Sequence, residues 1–439
     1  MKGTRALVSA LVLAVVVLPL AFGVHAVARD MPPKPEVLNI IALDIDVVQF
    51  GEAVAAFERD HGIRVEWLEF PYGQLWSQIT TSITAGTTID LYMMSNSWHA
   101  ELGGLGMAIP LNDLATEAEL EELTAKYFPV TVEFLTSHDG KLWGLPGTAA
   151  SVSFFYNRTM LEELGYTEPP STFDEMLAIG REALDAGLAS YVYFPGWLAG
   201  HEDGMVQFDV MLKLFGGEWM NEDRSEFIFN DEAGVNALTK MKAILDEGLV
   251  PRAALETSDW DNFHFFLAGD QPFEINWNFV WGRALDPDQS SIIDDVASAP
   301  IPGIVRDTYS VLGGGGYAIS PTSRSPEWAF ELLKYMMSET GIKGVMREQG
   351  GAEGTIAALY EPPAIDAFPS DQYRLVDTFK AQMEYAGLRP SHFLTWYSEF
   401  RNNIFTPALH RALLGQQTPE EALNQAQREA QAMLEREGL

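Results

Sequence analysis

The 439-residue chain contains no cysteine. This excludes disulfides, thiol nucleophiles and cysteine-ligated zinc, as well as lipid attachment through an N-terminal cysteine. Basic residues are scarce too: 28 Lys+Arg stand against 62 Asp+Glu, a formal net charge of −34. So acidic a surface is repelled by nucleic-acid phosphates and by anionic lipid. After the first apolar run, Ala6–Val24, no other is long enough to cross a bilayer. Catalytic signatures are missing: no Gly-x-Ser-x-Gly elbow, no His-Glu-x-x-His helix and no EF-hand calcium loop. The 8 histidines are scattered without ligand spacing, and the one tight cluster, His201-Glu202-Asp203, reads as a solvated loop. Gly313–Gly316 is not followed by Gly-Lys-Ser/Thr, which argues against a phosphate loop. No catalytic residue, cofactor or metal is expected.

What remains is ample material for folding. A hydrophobic fraction of 47% with 11% aromatics over this length implies a large core and two or three domains' worth of chain. Lys2 and Arg5, the run Ala6–Val24 and Val24-His25-Ala26 read as an export signal over residues 1–26, an uncleaved anchor being the alternative. Either way the bulk of the chain is exported, periplasmic or otherwise extracytoplasmic. A Pro-rich linker, 27–35, follows.

From there strands and helices alternate: strand Leu38–Leu43, loop Asp44–Gln49, helix Glu52–Asp60, strand Ile63–Leu68, helix Tyr72–Ala85, strand Ile89–Met94. That order predicts an α/β, doubly wound, mostly parallel sheet with ligands beyond the carboxyl ends of its strands. The loops Asp44–Gln49 and Ser95–Trp98 should then share one rim. Around Asp139–Asn157 a strand, Leu142–Leu145, should stop at Pro146, which donates no ladder hydrogen bond. Gly147–Ser151 is a loop of small residues, Val152–Tyr156 a second strand, and Asn157 and Thr159 are suited to cap a helix from Met160. Two strands joined by a loop without large side chains suit a crossing between two lobes. Pro272–Trp281 reads as a strand running into a loop.

The ordered pieces AVAAFERDHGIRVEW, SITAGTTIDLYMM, GKLWGLPGTAASVSFFYNRTMLEELG, FLAGDQPFEINW, GGGGYAISPTSRSPEWAFELLKYM and TPALHRALLGQQTPEEALNQAQREAQAML cover nearly the whole mature length. Together they resemble the extracellular solute-binding proteins of sugar-importing ABC transporters, the group of maltose- and trehalose-binding proteins. The resemblance implies a two-lobed periplasmic-binding-protein fold, with an N-terminal lobe of 36–147 plus 297–345 and a C-terminal lobe of 148–296 plus 346–439. It further implies a monomeric receptor without catalysis, closing on a mono- to oligosaccharide and presenting it to membrane permease subunits. A secreted carbohydrate-active hydrolase and a receptor for a non-sugar solute are the competing readings.

Sugars offer an apolar ring face to aromatics and hydroxyls to polar groups, which are costly to bury unpaired. Trp277, Phe279 and Trp281 match the family's aromatic platform, and strand alternation would place all three on one face, Trp277 being the foremost candidate. Arg389 matches a position from which some members send a guanidinium to the sugar; as a ligand contact, its loss should leave the melting of the free protein unchanged. Asp46, Asn96, Ser97 and Trp98 fall on rim loops, Gly314 and Gly315 would admit close backbone approach, and Thr148, Tyr193, Trp197 and Trp396 complete the candidates. Met94 and Ala150 depart from the maltose-binding pattern and argue against a maltodextrin ligand.

Overall fold

The structure, a computed structural model, describes residues 31–349, 351–365 and 373–438, so the expected export signal lies outside the described residues. Three apolar stretches build the first sheet. β1 (Val37–Ala42) buries Leu38, Ile40, Ile41 and Ala42, and pairs in parallel with β2 (Arg64–Glu69) and β3 (Leu91–Ser95). β2 is the edge, and it carries Arg64, Glu66 and Glu69, charges that discourage further pairing. The crossovers are α1 (Asp44–His61) and α2 (Tyr72–Thr84).

α1 starts earlier than expected: residues 44–49 are its first turns, not a loop. Asp44 and Asp46 favour the positive end of the helix, and the Asp46 carboxylate accepts the Leu43 N–H at 3.0 Å. The helix stops at Gly62, whose φ of +66° is the left-handed cap.

The sheet order is β2-β1-β3-β9-β4, with β4 at Gly144–Thr148 and β9 at Gly315–Ile319. β9 runs antiparallel to both neighbours. β4 continues through Pro146 rather than stopping there: it is the other edge strand, where a proline is tolerated, and the ladder shifts register just after it, between Pro146 and Thr148.

The second sheet is β6-β5-β7: β5 (Val152–Asn157) lies between β6 (Phe273–Trp277) and β7 (Val296–Ala299), antiparallel to both. Among the described residues neither of these two larger sheets has a parallel pair outside β1–β3. Asn157 does cap the helix Arg158–Glu163, accepting from Met160 N–H at 3.0 Å. Because β7 belongs to the second sheet, the return crossing falls between Ala299 and Gly315 rather than near residue 297.

Two hydrophobic cores flank these sheets. The first gathers β1, β3, β9 and the helix Pro326–Met336, and it also takes in Ala352, Ile356, Leu359 and Tyr360, which the sequence reading assigned to the other lobe. The second is built on Phe154, Phe173, Phe208 and Phe405 and is closed by the helix Pro419–Glu437, which buries Leu423, Ala426, Ala430 and Leu434 at helical spacing.

Between the cores two chain segments cross side by side. Gly313 N–H donates to Ala150 O at 2.7 Å, and Ser151 bridges to Leu312. A third segment approaches through β10 (Ala386–Gly387), paired in parallel with β8 (Ser310–Val311). Among the described residues no helix is long and apolar enough to cross a membrane.

Candidate functional site

A cavity of about 880 Å³ lies where the crossing segments meet the ends of both sheets. The first sheet contributes Asp46 and Gln49 from α1 and Ser95, Asn96 and Ser97 at the end of β3. The crossings contribute Thr148, Ala150, Gly313 and Gly314. The far wall carries Glu202, Trp260, Trp277, Phe279 and Arg389.

Aromatic faces dominate that far wall. Trp277 ends β6 and lies directly on the backbone of the crossing: a Cβ on Gly313 would sit 2.3 Å from its ring. Gly314 is required as well, with φ +86° and the Thr148 carbonyl 2.3 Å from where a Cβ would be. Trp260 stacks on Phe279 at 4.6 Å between centroids and 8° between planes, yet remains 49% exposed. Across the opening Tyr72 stands 6.2 Å from Trp260 and stacks on Trp98 at 5.3 Å. The result is a ladder of rings from one side of the cavity to the other.

The expected platform is only partly realised. After Trp277 the chain turns into the helix Phe279–Ala284, so strand alternation ends and Trp281 is carried into the core at 1% exposure. Of the remaining candidates, Phe279, Arg389, Asp46, Asn96, Ser97, Thr148 and Gly314 line the cavity with Trp277. Trp98 backs Tyr72 rather than lining it, and Gly315 is locked in β9 against the Met94 carbonyl. Tyr193 and Trp197 belong to the second core, as does Trp396, whose Nε1 donates to Gly438 O at 2.8 Å.

The polar groups are held from behind. The Asp46 carboxylate accepts Tyr317 O–H at 2.6 Å; burial pushes its pKa up to about 6 despite that bond. Asn96 Nδ2 donates to Leu312 O at 3.0 Å, which ties the rim to the crossing. Arg389 Nη1 donates to Glu202 Oε1 at 2.8 Å, with Arg401 3.6 Å from the other oxygen. Burial alone would raise Glu202, but the two guanidiniums outweigh it and hold the carboxyl below its usual value. The cluster His201-Glu202-Asp203 is thus no solvated loop: Glu202 is paired inside, and Asp203, 3% exposed, accepts Asp259 N–H at 2.8 Å.

Residues that sequence reasoning missed are Tyr72, Trp260, Gln49, Glu202 and Glu353. A tryptophan between two acids in a turn-rich stretch, Asp259-Trp260-Asp261, was the available signal for Trp260.

Beneath the aromatic wall runs a buried network. Glu274 of β6 accepts from Gln271 Nε2 at 2.6 Å and Asn276 Nδ2 at 2.8 Å, and Asn276 also donates to Asp259 O at 3.0 Å. This fixes the strand of Trp277 to the turn of Trp260. Burial pushes Glu274 up to about 8, and burial together with the Asp203 and Glu274 carboxyls pushes Asp259 well up. The fold therefore keeps the Glu274 proton until about pH 8, whereas an unfolded glutamate loses it near 4.5. Stability from this group is present below the lower value and is lost as pH rises through the higher one. Glu274→Gln should flatten the fall in melting temperature between about pH 5 and about pH 9; parallel wild-type and variant curves would place the alkaline loss elsewhere.

The family comparison places this architecture. Residues 46–343 match the family of bacterial extracellular solute-binding proteins, and the chain belongs to that family. Among curated relatives, the galactooligosaccharide-binding protein of Bacillus subtilis is 24% identical over 401 residues, 87% of this chain and 86% of that one. A probable ABC transporter-binding protein of Deinococcus radiodurans is 25% identical over 62% of this chain and 64% of its own length. In fold the chain is similar to the maltose-bound MalE3 of T. maritima, with a TM-score of 0.77 and 22% identity, covering 91% of this chain and 100% of that one. A solute-binding protein of Thermotoga lettingae bound to α-D-tagatose is similar to the same degree, TM-score 0.77 and 23% identity, with the same coverage. The fold is accordingly the two-lobed α/β periplasmic-binding-protein fold.

Proposed function

We propose that this protein is the substrate-binding receptor of an ABC-type sugar importer, acting as a monomer outside the cytoplasm. The observation that carries the reading is the cavity between the sheets, which pairs open aromatic faces with hydroxyl-binding polar groups. Trp277 stacks on the ring face of a saccharide, with the mutually stacked Trp260 and Phe279 extending the apolar wall beside it, and Asn96, Ser97, Thr148, Asp46 and the backbone at Gly314 take its hydroxyls. Arg389 acts from beneath, by fixing Glu202 and the crossing at Leu312. Binding favours the closed arrangement because only there do both walls contact the solute at once. Membrane permease subunits then read that arrangement. The relatives' names, which include oligosaccharide-binding proteins, support a sugar over other solutes.

A thermal-shift screen of the mature protein against mono-, di- and oligosaccharides tests this, with amino acids and peptides as controls. A sugar at ~100 times its dissociation constant adds about 2.7 kcal/mol of stability, a readily seen shift. The expected result is a shift with a sugar that is recovered intact. Recovery of hydrolysed product would replace the receptor with an enzyme, and shifts confined to the controls would remove the sugar.

A further inference from the structure

One end of the cavity differs chemically from the aromatic wall. It is formed by the first turns of α1 and by the chain at and beyond the end of the helix Glu339–Glu348. Asp44, Asp46, Glu348 and Glu353 all line it. Of the cations that line the cavity, Arg389 is paired with Glu202 and His201 lies 2.8 Å from Asp203, while Arg283 belongs to the helix Phe279–Ala284 that follows Trp277.

Two buried side chains at this end have nothing to bind. Gln49 is 2% exposed, and neither atom of its amide has a hydrogen-bond partner among the described residues. Glu353 is 6% exposed, and among the described residues no hydrogen bond or ion pair reaches its carboxyl. Its backbone is nevertheless fixed: φ is +62°, and its carbonyl accepts Ala149 N–H at 2.9 Å beside the crossing. The elements are closely seated, since a Cβ on Gly344 would fall 1.9 Å from the Gln49 carbonyl oxygen.

A carboxyl in this position resists ionisation, and burial pushes Glu353 up to about 7. The neighbours offer no relief: burial is the whole cause of that shift, no cation offsets it, and the Tyr317 and Tyr360 hydroxyls are spent on Asp46 and Gly354. A sugar hydroxyl donates one hydrogen bond and no charge. An ammonium donates three and supplies the missing positive charge.

We propose that this end of the cavity receives a protonated amino group on Glu353 and the Gln49 side-chain oxygen, making the solute an amino-bearing sugar. The proposal rests on the carbohydrate reading above and narrows it. The aromatic wall holds the ring.

Calorimetry on the unaltered protein at about pH 6.5, where sugar amines are protonated, decides it. The probes are matched trios of a free-amine sugar, its N-acetyl form and the neutral parent: glucosamine, galactosamine and mannosamine, with their (1→4)-linked disaccharides. The free amine of one trio should bind about tenfold tighter than either counterpart, and Glu353→Gln should abolish that preference. Equal or tighter binding of the neutral sugar overturns the amine and leaves the sugar receptor standing. Binding of spermidine or putrescine without any sugar keeps the cation and overturns the carbohydrate. Failure of every free-amine probe to bind overturns the proposal, and a preference surviving in a folded Glu353→Gln protein removes Glu353 from it.

Discussion

Arg389→Ala should destabilise the unliganded protein by about 3–5 kcal/mol, seen as a fall of several degrees in melting temperature. Arg389 is 3% exposed, and its removal leaves the largely enclosed Glu202 carboxylate with Arg401, at 3.6 Å, as its remaining guanidinium. It also removes one of two donors to the Leu312 carbonyl, which Arg389 Nη2 approaches at 3.4 Å in the crossing itself, leaving Asn96 Nδ2 at 3.0 Å. The expectation from sequence, that binding would weaken with no change in melting, treated the arginine as a free contact. The structure makes it part of the frame. Glu202→Gln placed on Arg389→Ala should recover part of the loss, because the cost comes mainly from an uncompensated buried charge. An unliganded melt equal to wild type would show that the pair contributes nothing to folding.

Trp277→Ala should weaken sugar binding by about 1–3 kcal/mol, five- to more than a hundredfold. The indole is half-buried, fixed from behind by the bare backbone of Gly313, and it closes the aromatic wall at the strand end. The ring is already ordered before a solute arrives, so little entropy is lost when a sugar stacks on it. Trp277→Phe should retain much of the affinity, which separates stacking from any bond through the indole nitrogen. Calorimetry with the sugar found in the screen reads both, and unchanged affinity in Trp277→Ala would remove this residue from the site.

How much of this was legible depends on the range of the interaction. The alternation of β1, α1, β2, α2 and β3 is written in local periodicity and in caps such as Gly62, and it survived with shifted boundaries. The start of α1 was missed because Asp46 works as an N-terminal anchor only once its carboxylate folds back on Leu43 N–H. Aromatic content could not separate wall from core. Tyr193, Trp197 and Trp396 have the same chemistry as Trp277, and only packing decides which ring faces the cavity. The Arg389–Glu202 pair spans 187 residues, and nothing near either residue announces the other. Trp260 and Tyr72 likewise face each other only because both sheets are in place.

The position of β9 has a consequence for how the chain reaches this state. It is inserted between β3 and β4, so the first sheet has a gap until residues 315–319 are delivered. Before then both flanking strands expose unpaired edges, the condition in which chains associate wrongly. More than two-thirds of the polypeptide must be available before the lobe that begins it is complete.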